Sequence, residues 1–414
     1  MAGVEVTVAL LVEPVQRSFG QTKPVYVPSK RIFSSSAAFA LIAYTFANIA
    51  CVVFNPIRYI DPLGWTGIRQ NYLVSKLPQI IEAKSGTGIL LLGSSLSLTP
   101  AIRCDDALAH RRERVDPWYM QIYLSHYSKA VYLQTALSKL LKHPIDLQNA
   151  SVPASVVSDQ SLIFRRYLET NKVPGCAVVC TAPRDYIDPN AQADRTAVYQ
   201  LLATRKDLLI GNSRPHRIFS NRNLENLCMY SSGLYRHRSE YSTVFVQYWI
   251  QAANFLGCET FGKSWRKIES SFREPPKDTP EYIDSRPSPA NHDASSYRPM
   301  YSPIKVEQYN CQIAALRELC LLGKQRHVPV IVVEMPLSNE NLALLSKDFK
   351  KKLYSDIEKT ANENGAIVYK PTTEIRFEHD DFEDSAHMGT GGAFKFFNWL
   401  AAKLAQEKIA WPAK

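Results

Sequence analysis

The chain has 414 residues, 45% of them hydrophobic and 21% charged, which excludes a disordered or fibrous protein and fits one large α/β domain with an insertion, or two domains. Lys and Arg outnumber Asp and Glu by 49 to 39, a net charge of +10. That charge suits a polyanionic partner, but no zinc-finger spacing, RNA-recognition signature or continuous basic helix accompanies it. No nucleic-acid partner is therefore expected, and a basic surface beside a membrane is the favoured reading.

Residues 1–31 are read as a tail ahead of an apolar segment. From Ile32 to Phe54 there are 23 consecutive residues without a charge, and a membrane-spanning helix needs about 20. Ser34-Ser35-Ser36, Thr45 and Asn48 dilute the run, and no small-x-small cleavage pattern closes it. A single transmembrane helix over 32–54 is predicted. Arg17, Lys23, Lys30 and Arg31 precede it, whereas Asn55 to Arg69 carry only Arg58 and Arg69. The positive-inside bias then makes the N-terminus cytoplasmic and everything after Phe54 extracytoplasmic. Residues 55–87 connect the span to the main domain.

Beyond the connector, short apolar runs alternate with helix-like stretches, the mark of a parallel sheet covered on both faces. The runs are Gly88 to Leu92, Ile145 to Leu147, Ala177 to Cys180, Val328 to Val333 and Ala366 to Tyr369. Each is rich in Val, Ile or Leu and bounded by polar or turn-forming residues, as strands buried on both faces should be. Between the third and fourth of them, Val306, Tyr309, Ile313, Leu316 and Cys320 share one helical face. The eight cysteines are scattered, with no C-x-x-C pair or metal-ligand series; Cys176 and Cys180 read as small buried thiols.

Two stretches break the alternation and form an expected insertion at about 188–304. Asp188 to Leu256 is rich in Arg, Tyr and Asn, with a helical stretch over Tyr241 to Phe255. Phe272 to Ile304 is heavy in Pro, Ser and Asp and reads as a loop. An insertion that leaves after a strand end can cap a site or be a surface excursion.

The first strand runs into Gly93-Ser94-Ser95, which presents hydroxyls at the C-terminal edge of the sheet, where ligands bind in open α/β folds. Turns favour Gly and Ser for conformational reasons too. The second element, Asp384-Ser385-Ala386-His387, lies ahead of a C-terminal amphipathic helix through Phe394, Phe397, Leu400 and Leu404. A carboxylate three residues before a histidine can hold the imidazole Nδ1–H and leave Nε2 to take a proton from a serine. Equally, Asp384 could cap a short helix while His387 packs against it. His379 is a rival base, but Arg376 stands where its orienting carboxylate would be needed. Glu378-His379-Asp380-Asp381 offers metal-ligating atoms, yet such an acidic loop is more often solvated, and no metal is expected. Glu334, at the end of the fourth run, either binds substrate hydroxyls or ends its strand.

Taken together, the serine turn after the first strand and the Asp-x-x-His before the last helix resemble the SGNH/GDSL-type hydrolases and their membrane-bound acyltransferase relatives. The resemblance covers about Gly88 to Leu404 and extends the domain over 88–408. It implies a three-layer α/β sandwich with a central, mostly parallel five-stranded sheet. Ser95 would be the nucleophile, His387 the base and Asp384 its orienting acid, with no cofactor. Ser94 stands where many members have Asp. Asn149-Ala150-Ser151-Val152-Pro153-Ala154 resembles the second block, with Ala154 at the glycine that supplies an oxyanion-hole N–H; that N–H survives the exchange if the dihedrals are negative. Thr181-Ala182-Pro183-Arg184-Asp185-Tyr186 occupies the third block without its Gly-x-Asn. Arg184 could replace the missing donor or pair with Asp185 or Asp188, and Asn149 could assist.

The implied activity is removal or transfer of acetyl or other short acyl groups on extracytoplasmic glycans or other esters. A non-catalytic glycan-binding or assembly member of the same fold, and a membrane-associated polyanion-binding protein, are the alternatives.

Overall fold

The computed structural model describes residues 35–54, 74, 76–83, 86–110, 127–170, 173–191, 196–204, 207, 228, 232–236, 293–407, 409 and 411. Five parallel strands make one sheet in the order β2-β1-β3-β4-β5. They are β1 (Ile89–Leu92), β2 (Leu147–Asn149), β3 (Cys176–Thr181), β4 (Val330–Glu334) and β5 (Ile367–Tyr369). The sheet is thus wholly parallel, and β1 and β3 lie inside it, buried along their full length. Burial on both faces explains their unbroken apolar sequence.

Alternation along the strands sends Leu90, Leu92, Ala177, Val179, Val330 and Val332 to one face, where they pack with Phe164, Tyr167, Leu316, Leu319, Leu353 and Ile357. Ile89, Leu91, Val178, Cys180, Ile331 and Val333 go to the other, with Ala101, Leu133, Leu137, Phe396, Phe397 and Leu400. The first layer is built from helices at Val157–Glu169, Val306–Gln325 and Lys347–Glu363. The second uses α2 (Ser95–Leu108), a helix at Val131–Leu141 and the C-terminal helix Thr390–Gln406.

Three local expectations change. The second strand begins two residues later than the run Ile145 to Leu147, because Asp146 instead lends its carbonyl to the Ile89 N–H at 2.9 Å. This edge strand therefore carries polar Gln148 and Asn149. Val306 starts its helix 67% exposed, while Tyr309, Leu316 and Cys320 are buried. The last part of the expected loop Phe272 to Ile304 contains two short helical turns, Ala294–Tyr297 and Arg298–Tyr301.

The helix expected over Tyr241 to Phe255 lies outside the described residues, as do residues 32–34 of the expected span. The segment Ser35–Phe54 is a 20-residue helix, α1, with no basic residue in its last turn and with Phe39, Phe46 and Val53 exposed. Among the described residues, no helix is long and apolar enough to cross a membrane. Every described cysteine is a free thiol, with Cys176 and Cys180 buried and their thiol pKa values pushed upward by desolvation.

Candidate active site

Gly93 is the hinge between β1 and α2. A Cβ there would meet Ser97 Oγ at 2.2 Å and Cys180 at 3.1 Å, so only glycine lets the chain turn so close to β3. The two serines that follow have different tasks. Ser94 is the N-cap of α2; its Oγ, 1% exposed as a residue, accepts from the Leu96 N–H at 3.4 Å. Ser95 occupies the first helical position with its side chain turned to the C-terminal edge of the sheet, 2.9 Å from His387 Nε2.

His387 sits on a short closed loop. Phe382 and Met388 form an antiparallel bridge, the Glu383 N–H donates to the His387 carbonyl at 2.9 Å, and the Gly389 N–H donates to that of Asp381 at 2.9 Å. Within it, Asp384 caps no helix, because residues 383–387 form none, but it holds both the loop backbone and the imidazole. Oδ1 accepts the N–H groups of Ala386 and His387, each at 2.7 Å, capping the turn. Oδ2 lies 2.7 Å from His387 Nδ1. The resulting chain, Ser95 O–H to Nε2 and Nδ1–H to Asp384, joins residues 292 apart in sequence.

Asp384 and His387 shift each other's titration in opposite directions. Burial pushes the Asp384 carboxyl upward, but the imidazolium charge, its ring hydrogen bond and two backbone donors outweigh this and hold it below the usual carboxylate range. Burial likewise pushes His387 down, yet the Asp384 carboxylate by charge and hydrogen bond, with Glu383 adding and Arg184 opposing, raises it above its usual value.

The expected oxyanion loop is tied to the serine turn. The Ala150 N–H donates to the Leu91 carbonyl at 2.8 Å, that of Val152 to Gly93 at 2.9 Å, and Ser155 Oγ also donates to Gly93 at 2.7 Å. Ala154 has φ 61°, so its dihedral is not negative. It keeps the left-handed conformation that suits glycine, at a cost of roughly 1–2 kcal/mol. Among the described residues its N–H, like that of Ser95 at the first turn of α2, donates to no partner.

The other expected contributors are placed differently. Asn149 is fully buried and committed: Oδ1 accepts from the Ser151 N–H at 3.0 Å and Nδ2 donates to the Lys129 carbonyl at 3.1 Å. Arg184 takes the ion-pair reading, and nothing places it as an oxyanion donor. Its Nη2 is 3.1 Å from Asp188 and 3.3 Å from the carbonyl of Ala154, and Nη1 is 3.8 Å from Asp185. Burial drives Asp185 up to about 7 against the pull of Arg184. His379 is half exposed, 3.6 Å from Glu340, and is not a member of the Ser95–His387–Asp384 chain. Glu334 alternates with Val332 onto the face opposite Phe382 and Met388, and burial pushes it up to about 7. Among the described residues, no group of three or more His, Cys, Asp or Glu could hold a metal ion.

Two residues at the site, Arg103 and Tyr297, carry no motif signal. Arg103 of α2 pairs with Glu383 at 2.7 Å. Tyr297, at the returning end of the insertion, packs on the cluster containing Phe382 and Met388; burial and then the Asp384 charge push its phenol upward. Only Arg103 had a readable clue, its spacing from Ser95 by two helical turns. No protein-family model matches the chain, and no curated protein matches it.

Proposed function

We propose that the chain is a membrane-anchored serine esterase or acyltransferase of the SGNH/GDSL type, acting on acetyl or other short acyl esters of extracytoplasmic glycans. The observation that carries this reading is the Ser95–His387–Asp384 hydrogen-bond chain at the ligand edge of a parallel sheet. Ser95 Oγ attacks the ester carbonyl as His387 Nε2 takes its proton. The oxyanion takes the Ser95 N–H as a donor, and the Ala154 N–H as a second because Ala154, against the negative dihedral expected of an alanine, keeps a glycine-like backbone. His387 then returns the proton to the departing alcohol, leaving acyl-Ser95. Water or a sugar hydroxyl gives His387 a proton, attacks the acyl group and regenerates Ser95.

Turnover of a simple acetyl ester by the purified chain tests this reading, and a competing sugar acceptor separates transfer from hydrolysis. No turnover and no transfer would favour the non-catalytic glycan-binding reading, which draws its support from Arg184 standing in place of Gly-x-Asn.

Turnover should also depend on pH in a set direction. The base must be neutral, so the rate rises through the pKa of His387, with a midpoint above the ordinary 6.5. Stability has the opposite sign. A raised imidazole pKa contributes stability fully present below 6.5 and lost as pH rises through the folded value. The depressed Asp384 contributes stability present above its ordinary 3.8 and lost as pH falls through its folded value. A rate midpoint below 6.5 would contradict this electrostatic account.

The anchor and its orientation rest on the uncharged run Ile32 to Phe54 and the basic residues before it. A periplasm-active reporter fused after Arg69 should be active and one fused at Lys23 inactive. The reverse pattern would remove the extracytoplasmic substrate.

A further inference from the structure

Ser95, Thr99 and Arg103 are spaced by four residues along α2 and therefore share one face of the helix. That face meets the loop 382–388 twice. At its first turn Ser95 Oγ contacts His387 Nε2 at 2.9 Å. Two turns later, about 12 Å along the axis, Arg103 Nε donates to Glu383 Oε2 at 2.7 Å, between side chains 10% and 20% exposed. One contact would let the loop pivot about the Ser95–His387 hydrogen bond. A second, charged and largely buried, removes that freedom.

The loop is stiff enough to transmit the restraint. The Glu383 N–H is bonded directly to the His387 carbonyl, and Asp384 Oδ1 ties the intervening turn. A displacement at Glu383 therefore moves the imidazole. We propose that Arg103 is a positioning residue that, through Glu383, fixes the Asp384–His387 loop against the helix carrying Ser95. The catalytic consequence rests on the hydrolase reading above, whereas the positioning itself does not.

The charges facing the imidazole make the two halves of the pair distinguishable. Asp384 and Glu383 lie on its own loop, Arg103 approaches from α2, and Arg184 acts from the turn after β3, flanked by Asp185 and Asp188; Tyr297 lies beside Asp384. Removing the charge of Glu383 takes away an anion that favours imidazolium. Removing Arg103 leaves that anion uncompensated. The first change should lower the imidazole pKa and the second raise it.

The experiment compares Arg103→Gln, Arg103→Lys and Glu383→Gln in the full chain, by ester kinetics against pH and by NMR titration of the histidine rings, with His387→Asn identifying the signal. Arg103→Gln and Glu383→Gln should each lower kcat by about 10- to 100-fold at nearly constant KM, with Arg103→Lys recovering most of the loss. The acid limb and the His387 titration should move up in Arg103→Gln and down in Glu383→Gln. A folded Arg103→Gln with wild-type kcat, or shifts of the same sign in both variants, would overturn the proposal. If Arg103→Gln does not fold, an unchanged kcat and titration in Glu383→Gln overturns it instead. A wild-type chain that turns over no ester would sink the hydrolase reading; broadened or split amide signals of residues 383–387 in Arg103→Gln would still uphold the positioning role, and loop signals unchanged from wild type would refute it.

Discussion

Ser95→Ala and His387→Ala should each abolish nearly all turnover of a simple acetyl ester, by up to about a millionfold, while Ser94→Ala keeps most of it. Under the proposed mechanism the two act as one unit across their 2.9 Å hydrogen bond, so the double variant should be no slower than either single one. Asp384→Asn should lose less, because Ser95 and His387 remain and only the charge and orientation of the imidazole suffer. Ser94 tests the register of the motif. Its Oγ caps α2 and is buried, so Ser94→Ala should cost about 1 kcal/mol of stability. Steady-state kinetics beside a thermal melt read both effects. A dead Ser94→Ala with an active Ser95→Ala would move the nucleophile by one residue.

The second large effect is expected at Gly392, three residues into the C-terminal helix. A Cβ there would lie 2.2 Å from the Asp381 carbonyl oxygen and 2.9 Å from its Cβ. The obstacle is backbone, so something must shift. Asp381 is anchored by the Gly389 N–H and by Lys395, and it leads directly into Phe382 and the histidine loop. Gly392→Ala should therefore destabilise the domain by about 1–3 kcal/mol and also displace His387, cutting turnover by up to about 100-fold. Gly391→Ala is the control. Its Cβ would stand an ordinary 3.7 Å from Asp381 Oδ1, and alanine favours a helix by about 1 kcal/mol over glycine. A melting temperature and a rate measured for each variant decide the matter; equal tolerance at both positions would contradict the close packing of helix on loop.

The sheet was legible in the sequence because β1, β3 and β4 are buried on both faces and leave continuous apolar runs. The edge strand β2 was less so, since it is three residues long and two of them, Gln148 and Asn149, are polar, Asn149 being buried with its amide hydrogen-bonded to the neighbouring loops. The two halves of the site were readable because each is local: a serine turn at a strand end, and a carboxylate three residues before a histidine. What depends on distant packing was not. The Arg103–Glu383 pair joins residues 280 apart, Tyr297 arrives from the end of an insertion, and the left-handed Ala154 has no signature in an alanine. Asn149 looked like a free donor only because its partners, Ser151 and the carbonyl of Lys129, are set by how the loop folds around it.

The central claim is that Ser95 is a nucleophile activated by His387. Incubating the full chain with a fluorophosphonate and mapping the adduct by peptide mass spectrometry tests it without knowledge of the acyl group or acceptor. The account predicts one phosphonyl group on Ser95, formed at a rate that follows the deprotonation of His387 and lost in His387→Ala. An unlabelled chain, an adduct on Ser94, or labelling that persists without His387 would contradict it.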